Sequence, residues 1–207
     1  MAELKVTNLS AVRSGRRVFE GLTFTAAKGE ALIVKGANGS GKSTLLRILA
    51  GFGEASAGSV EYSGGDEDTR QAEHCHYVAH ADALKSALTA AENLDFWARY
   101  FGGGSPGPAL DATGIGHLAD IPAGLLSAGQ KRRLGLARIM LAPRPIWLLD
   151  EPSVSLDAAS QQQLADLMTA HVAGGGILVA ATHLPLGLVN ARDIDLGDFR
   201  AKTDLLP

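Results

Sequence analysis

Gly36-Ala37-Asn38-Gly39-Ser40-Gly41-Lys42-Ser43-Thr44 is the stretch whose reading decides the fold. It fits G-x-x-x-x-G-K-[S/T], the phosphate-cradling P-loop pattern. Its flanks supply the context that the pattern requires. Glu30-Ala31-Leu32-Ile33-Val34-Lys35 reads as a mostly apolar strand, and Ser43 to Ala50 as a helix closed by Gly51. Glycines let the backbone turn tightly, so that several N–H groups face a phosphate chain with no Cβ in the way. The helix N-terminus adds a partial positive charge. In such a loop Lys42 reaches the β and γ phosphates and the Ser43 hydroxyl ligates Mg²⁺, while Gly36, Asn38, Gly39, Ser40, Gly41 and Thr44 complete the cradle. The bland alternative is a glycine-rich turn without chemistry, and it leaves the strand–loop–helix order unexplained.

The rest of the composition bounds the answer. With 207 residues the chain can bury one substantial core, with room for a small subdomain. A net charge of −3, with 20% charged and 46% hydrophobic residues, is an ordinary globular balance rather than that of a strongly basic nucleic-acid binder. Cys75 is the single cysteine, so no internal disulfide forms; a reducing compartment fits, and the residue reads as a small inert side chain near a strand. No run approaches the 18 or so apolar residues of a membrane span. Met1-Ala2-Glu3-Leu4 enters a strand-like pattern directly, with no basic stretch followed by an apolar one. The expectation is a cytoplasmic protein that reaches a membrane only by docking to something else.

Outward from the P-loop, residues 4–35 read as three strands and Ser59-Val60-Glu61-Tyr62 as a fourth. The polar run 64–73 has no apolar face and reads as a solvated connection, and His76 to His80 as a strand entering the core. Thr89 is placed to cap a helix carrying Leu94, Trp97 and Phe101, which Gly102-Gly103-Gly104-Ser105-Pro106 breaks, and a short helical piece follows at 109–118. Ser127 starts a further helix that Pro143 stops. Ile146-Trp147-Leu148-Leu149 and Ile177 to Ala181 read as strands buried on both faces, with an amphipathic helix at 158–172 between them and a terminal edge strand at 193–199. Strands alternating with helices around a P-loop predict an α/β nucleotide-binding core. The expected division is one domain over 1–207, with its core at 1–83 and 127–207 and a short helical subdomain at about 84–126.

Four apolar residues running into Asp150-Glu151 suggest the second half of a nucleotide site. At the C-terminal end of a parallel strand, expected beside the P-loop strand, Asp150 can hold Mg²⁺ directly or through water. Glu151 can then orient or deprotonate the attacking water. The alternative is a pair of charges opening the segment at Pro152-Ser153.

Leu126-Ser127-Ala128-Gly129-Gln130, followed by Lys131-Arg132-Arg133-Leu134-Gly135-Leu136-Ala137-Arg138, resembles the signature sequence of ABC-type ATPases, most often L-S-G-G-Q. The resemblance extends to the order of the other motifs: P-loop, signature, the strand ending in Asp150-Glu151, Ser155-Leu156-Asp157 like the family's D-loop, and His183 like its switch histidine. It covers nearly the whole chain. It implies a P-loop NTPase fold of the ABC type, with an antiparallel β subdomain and an inserted helical subdomain. It also implies a head-to-tail dimer in which Ser127, Ala128, Gly129 and Gln130 of one copy act on the ATP held by the other copy's P-loop. Asp157 then lies at the dimer interface, and His183 contacts the γ-phosphate; on residue type alone His183 would be structural or solvated. A chain with one P-loop and one signature needs a second copy or a partner.

Two departures stand out. Where the family normally carries a glutamine that touches Mg²⁺ and senses a membrane partner, this chain has His80, which hydrogen-bonds and titrates but is not an amide. No aromatic residue stands where one commonly stacks on adenine; in Val12-Arg13-Ser14-Gly15-Arg16-Arg17-Val18-Phe19 the planar guanidinium of Arg13 is the candidate. His80, the alanine at Ala128, Leu88-Thr89-Ala90-Ala91-Glu92-Asn93-Leu94 and Arg132-Arg133 together resemble the ATP-binding subunits of bacterial cytochrome c maturation transporters. That resemblance implies integral membrane partners that handle haem, a peripheral position on the cytoplasmic face of the inner membrane, and ATP turnover that drives release of a haem-loaded chaperone. No haem ligand set is evident in the chain, so haem is met only through the partners.

Other readings compete. The ATPase of another small-molecule exporter differs only in subunits that this sequence does not contain. A soluble ATP-gated clamp on ribosomes or nucleic acid would call for two nucleotide modules and for basic or aromatic-basic surfaces, and neither is present. A scaffold that binds ATP without cleaving it is disfavoured by Glu151 and His183.

Overall fold

The computed structural model describes residues 3–13, 15–64 and 70–200. The chain divides into two compact units. One comprises Met1–Tyr77, Arg144–Asp150 and Thr169–Pro207, the other Val78–Pro143 and Glu151–Met168.

In the first unit β1 (Glu3–Arg13) and β2 (Arg16–Ala27) form an antiparallel hairpin with Glu3 opposite Ala27 and Arg13 opposite Arg16. The strand β4 (Ala57–Ser63) adds antiparallel to β1, which gives the order β2-β1-β4. A second sheet has the order β5-β6-β7-β3-β8, from β3 (Ala31–Lys35), β5 (Cys75–Val78), β6 (Ile146–Asp150), β7 (Ile177–Ala181) and β8 (Arg192–Asp195). The strands β6, β7, β3 and β8 run parallel. Every residue of β6 and β7 is buried, as their unbroken apolar sequences require of strands covered on both faces. Helix α1 (Lys42–Leu49) sinks Leu45, Leu46 and Leu49 into one cluster with Leu4, Val6, Phe19 and Leu22 of the hairpin and Leu32, Val34, Leu148 and Val179 of the parallel sheet. Burying each such leucine contributes about 1.5–3 kcal/mol, so the P-loop is tethered at both ends to the best-packed part of this unit.

In the second unit α2 (Ala90–Phe101) starts at Thr89 with a reciprocal cap: Glu92 N–H donates to Thr89 Oγ1 (3.1 Å) and Thr89 N–H to the Glu92 carboxylate (2.8 Å). Helix α3 (Pro106–Ala112) takes proline in its first turn, where a missing N–H costs least. Helix α4 (Ala128–Ala137) follows, and α5 (Ala158–Ala173) lies between β6 and β7 in sequence.

Three expectations need adjustment. Helix α4 belongs with the helical unit rather than with the core, because its Leu134 and Ala137 share a cluster with Leu94, Ala98, Ala109 and Leu110. The terminal strand stops at Asp195, whose carboxylate accepts from Gly197 N–H (2.7 Å) and turns the chain into a 3₁₀ turn at Leu196–Phe199. Of the polar run 64–73, residues 65–69 lie outside the described residues, and Gln71–Glu73 form a 3₁₀ turn.

Candidate functional site

The P-loop leaves β3 at Gly36, and its backbone is built on glycine. Gly36 and Gly41 have φ of +141° and +101°, values that L side chains rarely adopt. A Cβ on Gly36 would stand 2.6 Å from Ser40 Oγ, and one on Gly41 2.9 Å from Phe19 Cδ1. Lys42 is buried, and its Nζ donates to the carbonyls of Gly36 (2.8 Å) and Ala37 (3.3 Å), so the loop folds around its own cation. His183 Nε2 lies 3.1 Å from Lys42 Nζ and 3.1 Å from Asn38 Oδ1. A single ring nitrogen serves one of these at a time, as acceptor from the ammonium or as donor to the amide oxygen. Ser40 Oγ is buried with no hydrogen-bond partner among the described residues. A buried hydroxyl left unpaired costs about 1–3 kcal/mol, and a phosphate oxygen would satisfy it.

A cavity of about 310 Å³ opens beside this loop, lined by Asn38, Gly39 and Ser40 together with Arg16, Arg17, Val18 and Arg200. Three guanidinium groups at the wall suit an anionic ligand, and the volume falls within the range of small-molecule sites. Arg13, expected at the adenine, is exposed at the end of β1 and is not among the lining residues. Arg16 and Arg17, across the hairpin turn, line the cavity instead. Sequence reasoning missed them because the strand register decides which arginine of the turn faces the loop.

The carboxyl ends of the parallel strands are level: Asp150 pairs with Ala181, and Ala181 with Val34. This row brings Asp150, His183 two residues past β7, and Gly36 one residue past β3 to one edge of the sheet. Asp150 is not on the strand next to the P-loop strand, as expected from sequence; β7 lies between β6 and β3. Its carboxylate is 3% exposed. Among the described residues no group of three or more His, Cys, Asp or Glu could hold a metal ion. Mg²⁺ needs none, since it is commonly held by one or two protein oxygens, waters and substrate phosphates. One hydroxyl at Ser43 and one buried carboxylate at Asp150 fit that donor set.

In the second unit Ser127 caps α4. Gln130 N–H donates to Ser127 Oγ (3.3 Å), and Ser127 N–H donates to Gln130 Oε1 (2.8 Å). The N–H groups of Ala128 and Gly129, in the first turn, have no acceptor within the helix. They and the Ser127 hydroxyl proton, which the cap does not use, are donors of the kind that suits an anion at a helix N-terminus. Glu151 is half-buried with φ +47°, a left-handed conformation that costs a non-glycine residue of order 1–3 kcal/mol. Its carbonyl accepts from Arg132 Nη2 (2.9 Å). His80 is exposed in the segment after β5. Asp157 accepts from Ser160 N–H (2.8 Å), which together with the Ser160 hydroxyl and the nearby Arg133 holds its carboxyl below the usual range. The expected interface residue therefore also caps α5. Arg132 was not singled out from sequence as a site residue. The available signal is its spacing, midway between Gly129 and Gly135 on one helical face.

Fold and loop together define an ATP-binding domain of the ABC type, and the sequence profile of the family described as "ABC transporter" matches residues 19–154. The chain belongs to this family, as an ATP-hydrolysing, transport-coupled subunit of the CcmA-like kind. It is 51% identical over 192 residues to the cytochrome c biogenesis ATP-binding export protein CcmA of Rhodopseudomonas palustris (strain BisB5), covering 91% of this chain and 95% of that protein. To the protein of the same name from Chelativorans sp. (strain BNC1) it is 48% identical over 197 residues, covering 94% and 98%. Among solved structures, an ABC transporter ATP-binding protein of Pyrococcus furiosus superposes with a TM-score of 0.83 at 22% identity, over 96% of this chain and 100% of that one, which supports the fold.

Proposed function

We propose that the chain powers a membrane ABC complex of cytochrome c maturation, which exports haem or releases a haem-loaded chaperone. The observation that carries this reading is identity of about half, along almost the full length, to proteins named for cytochrome c biogenesis and export. The chain acts as a homodimer docked on integral membrane subunits at the cytoplasmic face of the inner membrane. Among the described residues no helix is long and apolar enough to cross a membrane, in keeping with a peripheral subunit.

In this reading Gly36 to Thr44 bind the ATP phosphates, and Lys42 leaves its own loop carbonyls to do so. Ser43 and Asp150 hold Mg²⁺, which supplies charge neutralisation at the phosphates. Glu151 orients or deprotonates the attacking water. His183 passes from Lys42 and Asn38 to the γ-phosphate. Ser127, Ala128, Gly129 and Gln130 present the open end of α4 to the partner copy's ATP, with Asp157 at the same interface. His80 transmits the nucleotide state to the membrane subunits. Arg16 and Arg17 are better placed than Arg13 to lie against the base.

Affinity purification from gently solubilised membranes tests the assignment. Co-purifying integral membrane subunits of cytochrome maturation, with a haem absorbance band, are the expected result. Partners of another exporter would move the chain to a different small-molecule transporter.

A further inference from the structure

Arg132 is 3% exposed, yet its guanidinium meets two separate segments of the second unit. Nη1 donates to the carbonyl of Ala79 (2.9 Å) and to Asp82 Oδ1 (2.8 Å), Nη2 to the carbonyl of Glu151 (2.9 Å), and Nε to the carbonyl of Pro152 (3.2 Å). The helix carrying it is shaped to let both segments approach. A Cβ on Gly129 would stand 2.7 Å from Ser155 O, and one on Gly135 2.9 Å from Asp82 Oδ1. Gly129, Arg132 and Gly135 follow one another at three-residue intervals, so a single face of α4 holds both segments. Each held segment contains a non-glycine residue in the left-handed region, Ala83 at φ +54° and Glu151 at φ +47°. Such conformations persist only where surrounding contacts fix them.

We propose that Arg132 is a positioning residue for ATP hydrolysis: its fork fixes the Glu151 backbone and ties it to the segment 79–83 that carries His80. The proposal rests on the reading of Glu151 as the group that acts on the attacking water. Movement of the His80 segment then reaches Glu151 through one side chain. Lysine keeps the charge but not the planar set of donors, so it cannot hold three carbonyls on two segments at once.

The test is steady-state ATPase kinetics of the full chain carrying Arg132→Lys, with nucleotide-binding stoichiometry measured on the same sample. The expected result is a fall in kcat of about tenfold or more at full stoichiometry, with KM for ATP within about twofold of wild type. A kcat unchanged, or reduced only in proportion to lost nucleotide binding, overturns the proposal. Glu151→Gln is run in parallel: if it keeps wild-type turnover, the reading of Glu151 fails, separately from that of Arg132. Should Arg132→Lys not fold, Asp82→Ala decides, because it removes one anchor of the fork from a partly exposed position. A loss of about threefold or more in kcat at constant KM supports the link, and wild-type kcat overturns it.

Discussion

Cys75 shows how burial decides the chemistry of a single residue. It is 5% exposed, its Sγ lies 3.8 Å from the Leu49 carbonyl, and desolvation pushes the thiol up to about 12 against the opposing pull of Arg144. At neutral pH the thiol is therefore held in its unreactive protonated form. Alkylation by iodoacetamide near neutral pH should be slower by about 10²-fold or more in the native protein than in urea. Equal rates would mean that the thiol is reached without unfolding. The inert role was legible in the sequence, since a lone cysteine next to a strand in a chain without metal-ligand spacing has little else to do. The shape of the P-loop and the helix start at Ser127 were legible for another reason. Phosphate binding by backbone N–H groups is a local arrangement that leaves its residue types in consecutive positions. The contacts of Arg132, Arg16 and Arg17 were not, because only the fold brings those groups together.

Secondary structure was legible wherever it is local: the cap at Thr89, the helix start at Ser127, the P-loop helix and the doubly buried strands stand close to where residue pattern puts them. Strand order was not, because nothing in the sequences of β6 and β7 says which one neighbours β3. The pairing of β6 with α5 has a consequence of its own. His171, near the end of α5, stacks on Trp147 of β6 with ring centroids 3.9 Å apart and planes 7° apart. Burial lowers its pKa from 6.5, partly offset by hydrogen bonds with the Ile177 and Pro145 carbonyls. The folded protein therefore prefers the neutral ring, while the unfolded chain protonates at the ordinary value. The stability that this contributes is fully present above pH 6.5 and is lost as pH falls through the lower folded value. Urea midpoints measured at about pH 8 and about pH 5 should show the loss, and His171→Phe, which keeps an aromatic ring on Trp147, should lessen the difference. An undiminished difference in the variant would assign the acid sensitivity to other groups.

At the scale of the whole molecule the composition of the chain is one-sided: a single P-loop and a single signature. The capping box satisfies Ser127 N–H and Gln130 N–H internally, yet it leaves the first-turn N–H groups of Ala128 and Gly129 and the Ser127 hydroxyl proton without an acceptor in α4, donors that an anion would suit. If a second copy's ATP is that anion, blocking hydrolysis should freeze the pair. Glu151→Gln with Mg²⁺ and ATP should therefore run as a dimer by size exclusion with light scattering, and as a monomer without nucleotide. Its turnover should fall by about 10²-fold or more, the usual contribution of a general base. Adding Lys42→Ala or Ser127→Arg to that chain should each abolish the dimer, the first through the nucleotide's own loop and the second through the facing helix. Mixing these two double variants restores one intact composite site per heterodimer, since the Ser127→Arg copy keeps a working P-loop and the Lys42→Ala copy a working α4. Recovery of nucleotide-dependent dimers in the mixture would require the head-to-tail arrangement. A mixture that stays monomeric, while the Glu151→Gln parent dimerises, would mean that both sites must be filled together. A parent that stays monomeric and hydrolyses ATP at the wild-type rate would remove both the composite site and Glu151's part in it.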